Sequence, residues 1–135
     1  MFPKIQKTLF PPQDKPILVY DGNCGFCKYW IIKWKRITQG NIGYSPYQKV
    51  AAQFSDIPVD YFRQAVRYID TDGSVGNGPE AAFLTLQFKK RYRFLLNWYR
   101  NMAWFRKLSD VVYQWIADNR TFLFKVSRFF FGKRP

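Results

Sequence analysis

Two cysteines three residues apart, Cys24 and Cys27, are the side chains whose type and spacing most directly offer chemistry. On the first turn of a helix, thiols at i and i+3 can meet sulfur to sulfur. The first lies at the positive end of the helix dipole, where unpaired backbone N–H groups favour the thiolate. A thiolate attacks disulfides, and a second thiol nearby can resolve the mixed disulfide that forms. In this reading Cys24 is the nucleophile and the more acidic and more exposed thiol, and Cys27, on the apolar side of the helix, is the shielded resolving thiol. An inert pair and a metal site shared between two chains are the competing readings. The sequence has no histidine, which excludes a cysteine-histidine nucleophile pair and a zinc-finger type site within one chain. No metal and no cofactor are expected.

Three neighbours are candidates for supporting roles. Asp21 is either a base for Cys27 or a turn residue, because Asp followed by Gly is common turn chemistry. Lys28, one turn beyond Cys24, either adds positive charge for the thiolate or a substrate, or is a solvated lysine of the polar face. Phe26, between the cysteines, either contacts substrate at the rim of the site or packs into the core.

Positioning such a dithiol requires a strand, a tight turn and a helix. Ile17 to Tyr20 reads as a short apolar strand, Asp21-Gly22-Asn23 as the turn, and Cys24 to about Ile37 as the helix. Phe26, Cys27, Trp30, Ile31, Trp34 and Ile37 share one arc of that helix, opposite Lys28, Lys33, Lys35 and Arg36. Ile42 to Ser45 is predicted as a second strand and Lys49 to Phe54 as a brief helix. Ala65 to Ile69 and Ser74 to Asn77 are predicted as a hairpin about the turn Asp70-Thr71-Asp72-Gly73. Gly78-Pro79-Glu80 opens another helix, with proline where no backbone N–H is needed.

The order of these elements, with Asp21-Gly22-Asn23-Cys24-Gly25-Phe26-Cys27 directly after Ile17-Leu18-Val19-Tyr20, resembles the DCC family, named for one Asp and two Cys. Glu80-Ala81-Ala82 and Asn119-Arg120 resemble further family segments, and the likeness runs from Ile17 to Gly132. It implies an α/β, thioredoxin-like fold and a thiol-disulfide oxidoreductase of the protein-disulfide reductase type, with Asp21, Cys24 and Cys27 as signature residues. The substrate would be a disulfide-containing protein or small molecule, with a thiol as electron donor. Thioredoxins place a cis-proline just before their third strand. Here Pro58 stands several residues before Ala65, so no residue clearly fills that role.

Residues 1–16, with Pro3, Pro11, Pro12 and Pro16, are expected to be an irregular leader, and 17–135 a single domain with a helical extension from about residue 91. In the extension, Leu108, Val111, Val112, Trp115 and Ile116 form a helical stripe that is expected to be covered. The net charge of +13 is concentrated there: 12 basic and 2 acidic residues follow Phe88. Such a tail is a solvated helical face, a surface for anionic membranes, or, less in keeping with the absence of a reader motif, a nucleic-acid site. A non-enzymatic protein that binds a membrane or partner through these helices is the rival to the enzyme. The N-terminus lacks the apolar run of a signal peptide, and no stretch approaches the length of a membrane span. A cytoplasmic protein, peripheral at most, is expected.

Overall fold

A computed structural model describes residues 2–131. β1 (Ile17–Tyr20) leads through the turn at Asp21 into α1 (Gly25–Thr38), and β2 (Gly43–Pro46) returns parallel to β1, with Ile17 opposite Gly43 and Tyr20 opposite Pro46. α2 (Tyr47–Val50), a 3-10 turn (Ala51–Phe54) and α3 (Val59–Gln64) follow. β3 (Arg67–Ile69) and β4 (Val75–Asn77) form an antiparallel hairpin whose first strand pairs with β1. The sheet order is β2-β1-β3-β4. α4 (Pro79–Leu86), α5 (Arg93–Asn101), α6 (Ala103–Asp118) and α7 (Arg120–Phe131) complete a mixed α/β structure, with seven α-helices among the described residues.

Side-chain alternation along the strands divides the core in two. Val19, Ile69 and Val75 face α2 and α3 and pack with Tyr47, Phe54, Ile57 and Phe62. Leu18 and Tyr68 point the other way, against Ile31 of α1 and Ala81 of α4. Burial on both faces explains why β1 is a continuous apolar run rather than an alternating one.

The leader is irregular, as expected, and it is tied to the hairpin and to α6. Gln6 accepts from the Val75 N–H at 3.0 Å, Thr8 donates to Gly73 O at 2.8 Å, and Phe2 is buried against Tyr113 and Gly78. A Cβ on Gly78 would lie 2.9 Å from the Phe2 ring, so the leader's path requires glycine there. α3 has no counterpart in the predicted elements, because with one buried apolar residue, Phe62, its six residues carry no readable period. One expectation needs correction, and it concerns α6.

The stripe of Leu108, Val111, Val112 and Trp115 faces outward and is exposed. α6 is held from its other side. The buried Asp110 carboxylate accepts from Lys4 Nζ at 2.6 Å and from the Tyr99 hydroxyl at 2.7 Å, while the Tyr113 hydroxyl accepts from the Val66 N–H at 2.9 Å. Polar groups that find partners anchor this helix, and its apolar face is left over.

Candidate active site

The turn before α1 is built by its own side chains. Asp21 Oδ1 accepts from the Asn23 N–H and from Gln48 Nε2, each at 3.0 Å, while Gln48 Oε1 accepts from the Gly22 N–H at 3.0 Å. The Cys24 N–H donates to Asp21 O at 3.2 Å. Cys24 is thereby set as the N-cap of α1 in extended conformation, and its Sγ accepts from the Cys27 N–H at 3.2 Å. Both cysteines are free thiols.

This arrangement drives the two thiols apart in acidity. The Cys27 thiol hydrogen-bonds to the Cys24 sulfur, burial opposes ionisation, and the Cys27 N–H and the Arg120 charge favour it. Together they lower Cys24 from an ordinary value of 9.0 to about 6. Cys27 is pushed well up by the same hydrogen bond to Cys24, by burial and by the Cys24 charge. The acidity order is thus the expected one, but the exposure order is not. Cys24 is only 9% exposed, whereas Cys27 is the more exposed residue and lines a cavity. The reason is α7, which lies across the start of α1: a Cβ on Gly25 would meet the Phe124 ring at 2.7 Å, and the Tyr29 hydroxyl donates to Ser127 O at 3.3 Å.

Arg120, the first residue of α7, supplies the positive charge of the site. Its guanidinium lies 3.8 Å from Asp21 Oδ2 and donates to Arg63 O at 3.1 Å. Burial alone would lower its pKa, but the charges on Cys27, Cys24, Tyr113 and Asp21 together raise it, so Arg120 stays protonated beside the sulfurs. Lys28 is exposed on the opposite arc and is not among the groups that act on Cys24. In the sequence Arg120 stands out only as part of a family-like Asn-Arg segment, because 93 residues separate it from Cys27 and only the fold brings them together.

Beside Cys27 is an apolar cavity of about 280 Å³, bounded by Phe26, Trp30 and Trp34 of α1, Val66, Ala82, and Tyr113, Ile116 and Ala117 of α6, with Arg120 at its edge. Phe26 sits at this wall, its ring 6.3 Å from that of Trp30. Tyr113, which the sequence does not single out, reaches it from α6, and burial pushes its phenol up to about 12. There is no cis peptide among the described residues, and Pro58 caps α3. The position before β3 belongs to Val66. Among the described residues there is no cluster of three or more His, Cys, Asp or Glu side chains that could hold a metal ion.

A strand-turn-helix that presents a polarised dithiol defines a class of thiol-disulfide exchange proteins. A model of the DCC1-like thiol-disulfide oxidoreductase family matches residues 18–126, and the chain belongs to that family. No match to the chain was found among curated proteins or solved structures.

Proposed function

We propose that this chain is a thioredoxin-like protein-disulfide reductase, with Cys24 as nucleophile, Cys27 as resolving thiol and Asp21 as the base for resolution. The observation that carries this reading is the placement of Cys24 at the N-cap of α1, its Sγ accepting from the Cys27 N–H at 3.2 Å, an arrangement that lowers the Cys24 pKa to about 6 and pushes that of Cys27 up. The sheet order β2-β1-β3-β4 with the dithiol at the start of α1 supports the fold assignment. At pH 7 a thiol of pKa about 6 is roughly nine-tenths thiolate, and it retains enough nucleophilicity to attack.

In the forward direction the Cys24 thiolate attacks one sulfur of a substrate disulfide. The substrate S–S bond breaks, its distal sulfur leaves as a thiolate and takes a proton, and a Cys24–substrate disulfide forms. Cys27 then gives up its proton and attacks Cys24 Sγ, which releases the second substrate thiol and leaves a Cys24–Cys27 disulfide. Two electrons have passed to the substrate, and an external thiol donor returns them. Phe26 and the adjacent cavity offer an apolar surface to the group flanking the substrate disulfide. Lys28 offers a cation on the exposed side. The small exposure of Cys24 favours a slender substrate, either an extended protein loop or a small-molecule disulfide.

The test is reduction of insulin or of a glutathione mixed disulfide with a dithiol donor, together with stopped-flow measurement of mixed-disulfide decay in Asp21→Asn. If Asp21 takes the Cys27 proton, decay slows by about 100-fold while initial attack is not slowed. Unchanged decay with a lowered melting temperature would reduce Asp21 to the turn residue its Oδ1 contacts describe. Absence of disulfide reduction with any dithiol donor would remove the reductase reading.

A further inference from the structure

Half of the large apolar side chains exposed among the described residues lie on α5 and α6. On α6, Trp104 is 61% and Trp115 55% exposed, and Leu108, Val111 and Val112 between them are exposed too. Successive steps of 100° place all five within one arc of the helix, directly opposite the anchors Asp110 and Tyr113. A ladder of rings extends the patch onto α5: Phe94 to Trp98 at 5.1 Å, Trp98 to Phe105 at 5.7 Å and Phe105 to Trp104 at 5.8 Å. A contiguous apolar patch of this kind marks an interaction site.

The charge carried by the chain from residue 89 onward selects the partner. Lys89, Lys90, Arg91, Arg93, Arg100, Lys107, Lys125 and Arg128 are exposed, against the single exposed carboxylate of Asp118 in the same stretch, because Asp110 is buried. Pairing with a second copy would bring two such basic segments together. Nucleic acid would satisfy the charge but would leave Leu108, Val111 and Val112 in water. An anionic bilayer satisfies both halves: tryptophans and aliphatic side chains enter the boundary between headgroups and acyl chains while lysines and arginines meet the phosphates. No helix among the described residues is long and apolar enough to cross a membrane, so the contact is with its surface.

We infer that the α5–α6 face docks this protein on anionic lipid bilayers. The face also leads towards the dithiol. A second apolar cavity between α4 and α6 is lined by Leu108 and Val112 of the exposed stripe, and it shares Ala82, Tyr113 and Ile116 with the cavity beside Cys27.

Cosedimentation of the full chain with vesicles of phosphatidylcholine alone, or with 30% phosphatidylglycerol as probe composition, tests the inference. Binding is expected only to the anionic vesicles and should weaken by roughly tenfold or more between about 0.1 M and 0.5 M salt. Trp104→Ser with Trp115→Ser keeps the net charge, removes exposed rings only, and should lower vesicle affinity by at least about tenfold. Leu108→Gln with Val111→Gln is an independent pair, with the same expectation should the tryptophan variant fold poorly. Insulin reduction without vesicles should be unchanged in both, which separates this inference from the redox assignment. Failure to bind anionic vesicles, full binding by folded variants of both pairs, or a lipid-free dimer that buries the stripe would each overturn it.

Discussion

Cys24→Ser is expected to abolish disulfide reduction, a loss of about 10³-fold or more, because a serine hydroxyl is not ionised at neutral pH and the step that captures the substrate is lost. Cys27→Ser is expected to behave differently. The thiolate that attacks survives, but the intermediate has no resolving thiol, so a covalent adduct accumulates between Cys24 and the substrate. The hydrogen bond that Cys27 gives to Cys24 is also the largest influence lowering the Cys24 pKa. A serine hydroxyl replaces part of it, so capture should persist at a lower rate at neutral pH. Non-reducing electrophoresis with mass spectrometry of the adducts checks both outcomes. Equal adduct formation by the two variants would erase the distinction between nucleophile and resolver.

The largest effect on stability is expected at Arg67, which is fully buried. Its guanidinium donates to Asn77 Oδ1 at 2.5 Å, to Pro3 O at 2.6 Å and to Tyr61 O at 2.8 Å, all neutral acceptors. Burial lowers its pKa to about 10, so it remains charged at neutral pH. Two effects compete in Arg67→Met. Removing a buried charge is favourable, since apolar replacements of buried ionic groups are often neutral or stabilising. Against this, Pro3 O loses its donor, at about 1–3 kcal/mol, while Asn77 Oδ1 and Tyr61 O each lose one hydrogen bond but keep the N–H groups of Ile5 and Ala65. The lost hydrogen bonds should win, with a net loss of about 2 kcal/mol, a large share of a typical domain's total. The leader should loosen first, because Pro3 is bound directly and Asn77 also pairs with the backbone of Ile5. Urea melts and limited proteolysis near residues 3–9 check this. A variant as stable as the parent would mean that the charge penalty dominates.

What the chain reveals before folding is largely local. The dithiol, its strand and the start of α1 are legible because turn chemistry and apolar period occur within a few residues of one another. The hairpin of β3 and β4 is legible for the same reason, although each strand is shorter than predicted. Arg120 and Tyr113 are a different matter. Their place beside Cys27 depends on α6 and α7 folding back over α1, and nothing in their immediate neighbours encodes it. The orientation of α6 is the most informative departure. Its apolar period is real, but period alone does not say which side faces the protein. Asp110 and Tyr113, polar residues that find partners in Lys4, Tyr99 and Val66, decide it. The leader is legible in part: four prolines signal its irregular backbone, while the burial of Phe2 against Tyr113 and Gly78 depends on the fold.

The assignment of Cys24 as nucleophile rests on the splitting of two thiols that share one helical turn. The pH dependence of alkylation, resolved by mass spectrometry of the separate cysteine peptides, addresses it most directly in the reduced protein and in Arg120→Gln. The thiolate is the reacting form, so the Cys24 rate should rise as pH increases through about 6 and be level by neutral pH. Cys27 should stay unreactive throughout, and Arg120→Gln should move the Cys24 profile to higher pH by about one unit. Two thiols titrating together near the ordinary value of 9.0, or Cys27 reacting first, would contradict the assignment.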